Sequence, residues 1–265
     1  MPRDLEALTK EDTVQGLPEL SKSPEEMVDR KGLTEAEDER SMLNALSQRN
    51  EKRDELHPYT QSLTLSDIES CVRLEEATFP ENERCTREKF QYRLKRCGEL
   101  SMGIYTSHET NDIITAETST PVYSGAPERK AVLLGHIVAT KTTNSTVKDS
   151  DMSIPDSPDS KVGHTDEGRT ICIHSLAVLP EYQKRGLGKT LLKAYLQRME
   201  GQGVGDRVAL IAHDHLIAYY EGFGFENKGK SEAQFGGGGW YDLVRELRSE
   251  ESADDDDDDD GDGDD

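Results

Sequence analysis

The chain has 265 residues, with 54 acidic against 32 basic side chains, a net charge of −22 and a hydrophobic share of only 33%. That balance argues against nucleic acid and anionic membrane surfaces as main partners. No run of 18 apolar residues offers a membrane-spanning helix, and the Met1-Pro-Arg-Asp-Leu-Glu6 start lacks the apolar stretch of a secretory signal.

Residues 1–56 are charged and poor in aromatics, and are expected to form a disordered polar arm. Tyr59–Leu65 reads as a first strand. Ser66 with Glu69 three positions on reads as a capping box opening a helix that runs to about Thr78, before Pro80. A second helix is expected over about Thr86–Arg96, with Phe90 and Leu94 inward and Gly98 as a stop. Strands follow at Leu100–Thr106, Ala131–Thr142 and Arg169–Val178. The spacing of Leu187, Leu191, Leu192, Tyr195, Leu196 and Met199 predicts a helix over about Leu187–Glu200. A strand at Arg207–Ala212, a short helix over Leu216–Glu221 and strands near Phe225–Lys228 and Trp240–Glu246 complete the order. Segments 107–129 and 144–168 are polar, lack periodicity and are expected to be flexible inserts in one domain spanning 57–248. The order is that of an α/β domain with a mixed sheet. Residues 249–265 carry 12 acids and read as a disordered tail that suits a basic protein partner. Cys71, Cys85, Cys97 and Cys172 have no paired or metal-ligand spacing, so free thiols, a reducing cytoplasm and no metal are expected.

The chemistry concentrates after the strand Ser175-Leu-Ala-Val178. Gly186 and Gly188 open a helix, flanked by Lys184, Arg185 and Lys189. Glycine lets a ligand approach the backbone, and the free N–H groups and dipole of a helix start favour a pyrophosphate. A phosphate-loop pattern fails because Gln183 stands where its first glycine belongs. A dinucleotide fingerprint fails at Leu191.

The pattern Gln183-Lys184-Arg185-Gly186-Leu187-Gly188 fits Q-x-x-G-x-G and resembles the acetyl-CoA loop of the GNAT superfamily of N-acetyltransferases. Further landmarks resemble its arylalkylamine (serotonin-type) and fungal polyamine branch: Phe79-Pro80-Glu81-Asn82-Glu83, Cys97–Gly103, His174–Val178 and Ala218–Phe225. The resemblance covers roughly residues 57–248. It implies a mixed, mostly antiparallel central sheet flanked by helices, and acetyl-CoA as co-substrate. Leu176, Ala177 and Val178 would hold the pantetheine arm, and Gln183, Lys184, Arg185, Gly186, Leu187, Gly188 and Lys189 the pyrophosphate. Tyr220 would lie beside the sulfur and protonate it. His174 would act as base toward the amine, of which only about one molecule in a thousand is neutral at pH 7. Serotonin-type enzymes carry a histidine pair spaced H-x-H; Cys172 stands at the first position, entering the catalytic set as a substitute. Phe79, Glu81, Glu83 and Ile211 would form the amine pocket. His213-Asp214-His215 are consecutive and cannot all converge on one ion. The expected activity is acetylation of primary amines, arylalkylamines or polyamines. The rivals are a protein or histone acetyltransferase, a non-catalytic CoA-binding protein, and an acidic-tail interaction protein.

Overall fold

The structure is a computed structural model describing residues 40–48, 51, 54–106, 117–119, 130–157, 160 and 162–247. The chain divides into a unit Met1–Ser47 and a unit Gln48–Asp265. In the first, residues 40–47 are helical with exposed side chains. The rest of the polar arm apart from residues 48, 51 and 54–56, most of the 107–129 insert and the acidic tail lie outside the described residues.

Among the described residues the second unit has eight strands: β1 (Tyr59–Ser62), β2 (Met102–Thr106), β3 (Glu117–Ser119), β4 (Lys130–Thr142), β5 (Thr170–Val178), β6 (Arg207–Ala212), β7 (Glu226–Lys230) and β8 (Tyr241–Glu246). The sheet order is β1-β2-β4-β5-β6-β8-β7, with β3 added to β4. Every pairing is antiparallel except β5 with β6. Helices α1 (Ile68–Thr78), α2 (Arg87–Cys97), α3 (Leu187–Gln202) and α4 (Ile217–Glu221) complete it. This is the mixed, mostly antiparallel α/β sheet that the sequence predicts. Among the described residues no helix is long and apolar enough to cross a membrane.

The apolar positions explain the packing. Phe90 and Leu94, four apart on α2, are buried, as are Leu187, Leu191, Leu192, Tyr195, Leu196 and Met199 on α3. Burying one such side chain contributes roughly 1.5–3 kcal/mol. One local reading differs. The capping box lies two residues before Ser66: Thr64 donates its backbone N–H and its hydroxyl to Asp67 Oδ2 at 2.8 and 2.7 Å. Asp67 is the better reciprocal partner because its short carboxylate folds back within one turn, while Glu69 pairs with Arg87.

Two irregularities in the sheet shape the cleft at its centre. β5 and β6 pair only from Thr170↔Arg207 to Ile173↔Leu210, and beyond that point the strands separate. The register of β4 on β5 also slips between Val138 and Ala139, which pair with Ser175 and Ile173, leaving His174 as the extra residue of a bulge. A bulge bends the strand and re-aims its surplus side chain. In the 144–168 insert, the turn Asp149–Met152 is closed by Asp151, which accepts from Thr142 Oγ1 at 2.8 Å and Lys148 N–H at 2.8 Å. Val147 and Met152 are buried against Cys172, Ala209, Trp240 and Val244 in a second apolar cluster on the sheet.

Candidate active site

Where β5 and β6 part, the molecule holds a cavity of about 500 Å³. β5 contributes His174, Ser175 and Leu176; α4 contributes Tyr220; the turn after α1 contributes Phe79, Pro80 and Glu83; β6 contributes Ile211; the glycine loop contributes Gln183. Candidates from five separate segments therefore meet in one space.

His174 enters this space from the bulge. Its Nε2 lies 2.7 Å from Thr140 Oγ1, while Nδ1 is buried without a partner among the described residues. Burial, then the positive charges of Arg93 and Lys89, push its pKa well below the ordinary histidine value. Arg93 is itself buried, donating to Met152 O at 3.1 Å and to Cys85 Sγ at 3.4 Å. The ring is therefore neutral at pH 7, and Nδ1 can accept a proton but holds it weakly. The shift has a consequence for stability. Below about pH 6.5 the unfolded chain binds a proton at His174 that the folded chain does not, so stability falls as pH falls. His164, also lowered by burial, acts in the same direction. His174→Gln is expected to shrink the difference in thermal midpoint between about pH 8 and about pH 5.5. An unchanged difference in the variant would show that His174 titrates normally.

Tyr220 is buried, packed edge-on to Tyr219 and Phe225. Burial and then Tyr219 raise its pKa, so the phenol keeps its proton across the physiological range. Cys172 does not join the group. Its side chain is wholly buried in the second apolar cluster, outside the cavity lining, and burial pushes its thiol far up. Such burial disfavours the thiolate that nucleophilic chemistry requires. The alternation along β5 could not reveal this, because the bulge at His174 breaks the relation between the two positions. Glu81 is exposed at the turn's outer side and does not line the cavity; Glu83 does.

The glycine loop is shaped as a cradle. Gly186 caps α3 with φ 87°, and a Cβ there would meet nothing within 4 Å, leaving the helix mouth open. The first intrahelical bond runs from Thr190 N–H to Gly186 O at 3.0 Å, so the N–H groups of Leu187, Gly188 and Lys189 face outward. A Cβ at Gly188 would lie 3.4 Å from the Tyr219 hydroxyl. Gln183 holds the loop to β5 through Nε2 to Val178 O at 2.9 Å. Lys184, with φ 60°, and Lys189 are exposed, and Arg185 lies over the Tyr182 ring. Ala177, Val178 and Leu187 have buried side chains and can offer a ligand only backbone. Open space, free N–H groups and cationic side chains fit a pyrophosphate.

A buried network ties these parts together. The Glu75 carboxylate on α1 accepts from the Ser175 hydroxyl, from His136 Nε2 at 2.9 Å and from Cys85 N–H at 2.8 Å. It thereby fixes β5 beside His174 and the far end of the Phe79 turn. Sequence reasoning missed this network. It also missed Met152, Phe235 and Trp240 in the cavity wall, which come from an insert and a glycine run, whereas His213, expected in a structural or substrate-side role, does line the cavity. Among the described residues no group of three or more His, Cys, Asp or Glu side chains converges as a metal site would.

Residues 121–244 match the family described as acetyltransferase (GNAT) domain. Over that span the chain is similar to a GNAT acetyltransferase domain. Serotonin N-acetyltransferase of Mesocricetus auratus is 34% identical over 85 residues, covering 32% of this chain and 41% of that protein. The Macaca mulatta protein of the same name is 36% identical over 66 residues, covering 25% and 32%. The chain thus spans less than half the length of the curated relatives it matches. The solved structure of the GphF GNAT-like decarboxylase in complex with isobutyryl-CoA superposes with a TM-score of 0.50 at 14% identity, covering 72% of this chain and all of that one. That similarity speaks for the fold alone.

Proposed function

We propose that this domain is an acetyl-CoA-dependent N-acetyltransferase for primary amines, arylalkylamines or polyamines, working by direct transfer in a ternary complex. The observation that carries the reading is the single cavity that joins His174, Tyr220, the Phe79 turn and the open edge of β5. Acetyl-CoA, when bound, supplies the activated thioester. The α3 mouth and Lys184, Arg185 and Lys189 hold its pyrophosphate. The backbone of Leu176 and Val178, which points away from β4 and is unpaired with β6, offers hydrogen bonds to an extended amide chain, with Ala177 between them bonded to β4. The Leu176 N–H polarises the acetyl carbonyl, an interaction of the kind worth about 10²–10³ in rate.

His174 takes the amine proton at Nδ1, the nitrogen not engaged by Thr140. Its depressed basicity means that it releases the proton to water in the cavity, and Tyr220, once it has protonated the sulfur, regains a proton from water. Tyr220, held protonated by burial, gives its proton to the departing sulfur. The absence of Cys172 from the cavity lining supports direct transfer over a thiol-borne acyl group. Release of CoA thiol, measured with tryptamine, phenylethylamine, spermidine, spermine and a histone peptide, tests the reading. The small amines are expected to drive release. Release with the peptide alone would replace the proposal by protein acetylation.

A further inference from the structure

One side of the cavity is built by residues that this mechanism does not use. The strap from residue 231 to residue 240, joining β7 to β8, places Phe235 and Trp240 in the cavity wall. The strap is firmly tied. The Asp149 carboxylate accepts from the N–H groups of Gln234 at 2.9 Å and Phe235 at 3.1 Å. Trp240 Nε1 donates to Phe235 O at 2.7 Å, and the Asn82 side chain donates to Gly236 O, stapling the strap to the Phe79 turn. Gly236 stands against that turn so closely that a Cβ would lie 2.6 Å from Glu83 Cγ. The His213 ring stacks on Trp240, with centroids 4.0 Å apart and planes 24° apart.

We propose that Trp240, backed by Phe235 and His213, is the size stop of the amine site and sets how long an amine the enzyme accepts. The inference rests on the proposed amine acetylation. An amine whose nitrogen sits at His174 must fit its body into what remains of the cavity, and this wall cannot yield cheaply. The indole is 8% exposed, bonded through its N–H, and packed on the second apolar cluster. Closely packed interiors resist added volume, and one misfitting methylene in an apolar pocket changes kcat/KM by about 10–200-fold. Phe235 is fixed through its own backbone N–H, so the two rings hold their places together. The four glycines between them, all at positive φ, let the chain turn back within the strap.

The test is a series of primary amines lengthened one methylene at a time, n-alkylamines and phenylalkylamines, with the full chain and acetyl-CoA. In wild type, kcat/KM is expected to rise with length and then fall. Trp240→Ala is expected to move the optimum at least one methylene longer, changing the long-to-short ratio about tenfold or more. Phe235→Leu is expected to move it less, in the same direction. CoA affinity by calorimetry reports that the variants are folded; should Trp240→Ala fail that check, Phe235→Leu decides. Folded variants that keep the wild-type length profile would overturn the size stop and leave the amine reading standing. A wild type that acetylates none of the series would overturn both.

Discussion

Tyr220→Phe is expected to lower kcat by about 10²–10⁴-fold, the usual range for a positioned general acid, with acetyl-CoA binding nearly intact. The substitution removes one hydroxyl and keeps the ring that packs on Tyr219 and Phe225. The hydroxyl matters when sulfur leaves, so its loss falls on the transition state and not on ground-state binding. Because the phenol's pKa is raised, Tyr220 stays protonated between about pH 6 and pH 9, and the deficit should be flat over that range. Wild-type turnover across the range, in an assay limited by chemistry, would remove Tyr220 from the mechanism.

Gly186→Asp is expected to weaken CoA binding about a thousandfold. Two like charges about 4 Å apart at an effective dielectric near 20 repel by about 4 kcal/mol, which corresponds to that factor. The Cβ itself has room, so the loss of affinity comes from the carboxylate over the helix mouth, while the φ of 87°, which costs a side chain about 1–2 kcal/mol, lowers the stability of free and bound protein alike. Gly186→Ala separates the two contributions, since it carries the backbone strain without the charge. Calorimetry on folded protein reads both. Unchanged affinity in Gly186→Asp would mean that the α3 mouth is not the pyrophosphate site.

The sequence made the helices and the glycine loop legible because their signals are local. Leu187 to Met199 show their period directly, and Gly186 stands at the helix start with a φ of 87° that favours glycine. The strand Arg207–Ala212 has the predicted ends. Those parts of the candidate site that lie within or next to such elements, His174, Tyr220, Ile211 and Phe79 just past α1, come together in the cavity. Long-range features were not legible. The Glu75 network joins residues 61 and 100 positions apart, and nothing in the run Leu74-Glu75-Glu76 distinguishes the buried carboxylate from its exposed neighbour. Trp240 and Phe235 look like ordinary apolar residues around a glycine run, and only the strap's bonds to Asp149 and Asn82 turn them inward. Cys172 stands at the first position of the H-x-H pair that the resemblance implies, and its burial in the second apolar cluster, outside the cavity lining, is a packing outcome that a local pattern does not carry.

That surplus residue also couples traits that would otherwise vary separately. Pairing of β5 with β6 ends at Ile173, and the bulge begins at His174, so one local deformation both turns the imidazole inward and precedes the freed backbone edge. A point substitution at position 174 can take the histidine and spare the edge. Loss of a single codon there would draw the strand straight and is expected to disturb both at once. For a lineage drifting under weak selection, the shape of this strand is therefore harder to lose by degrees than the residue it displays, and a descendant without the histidine would still keep the groove beside it.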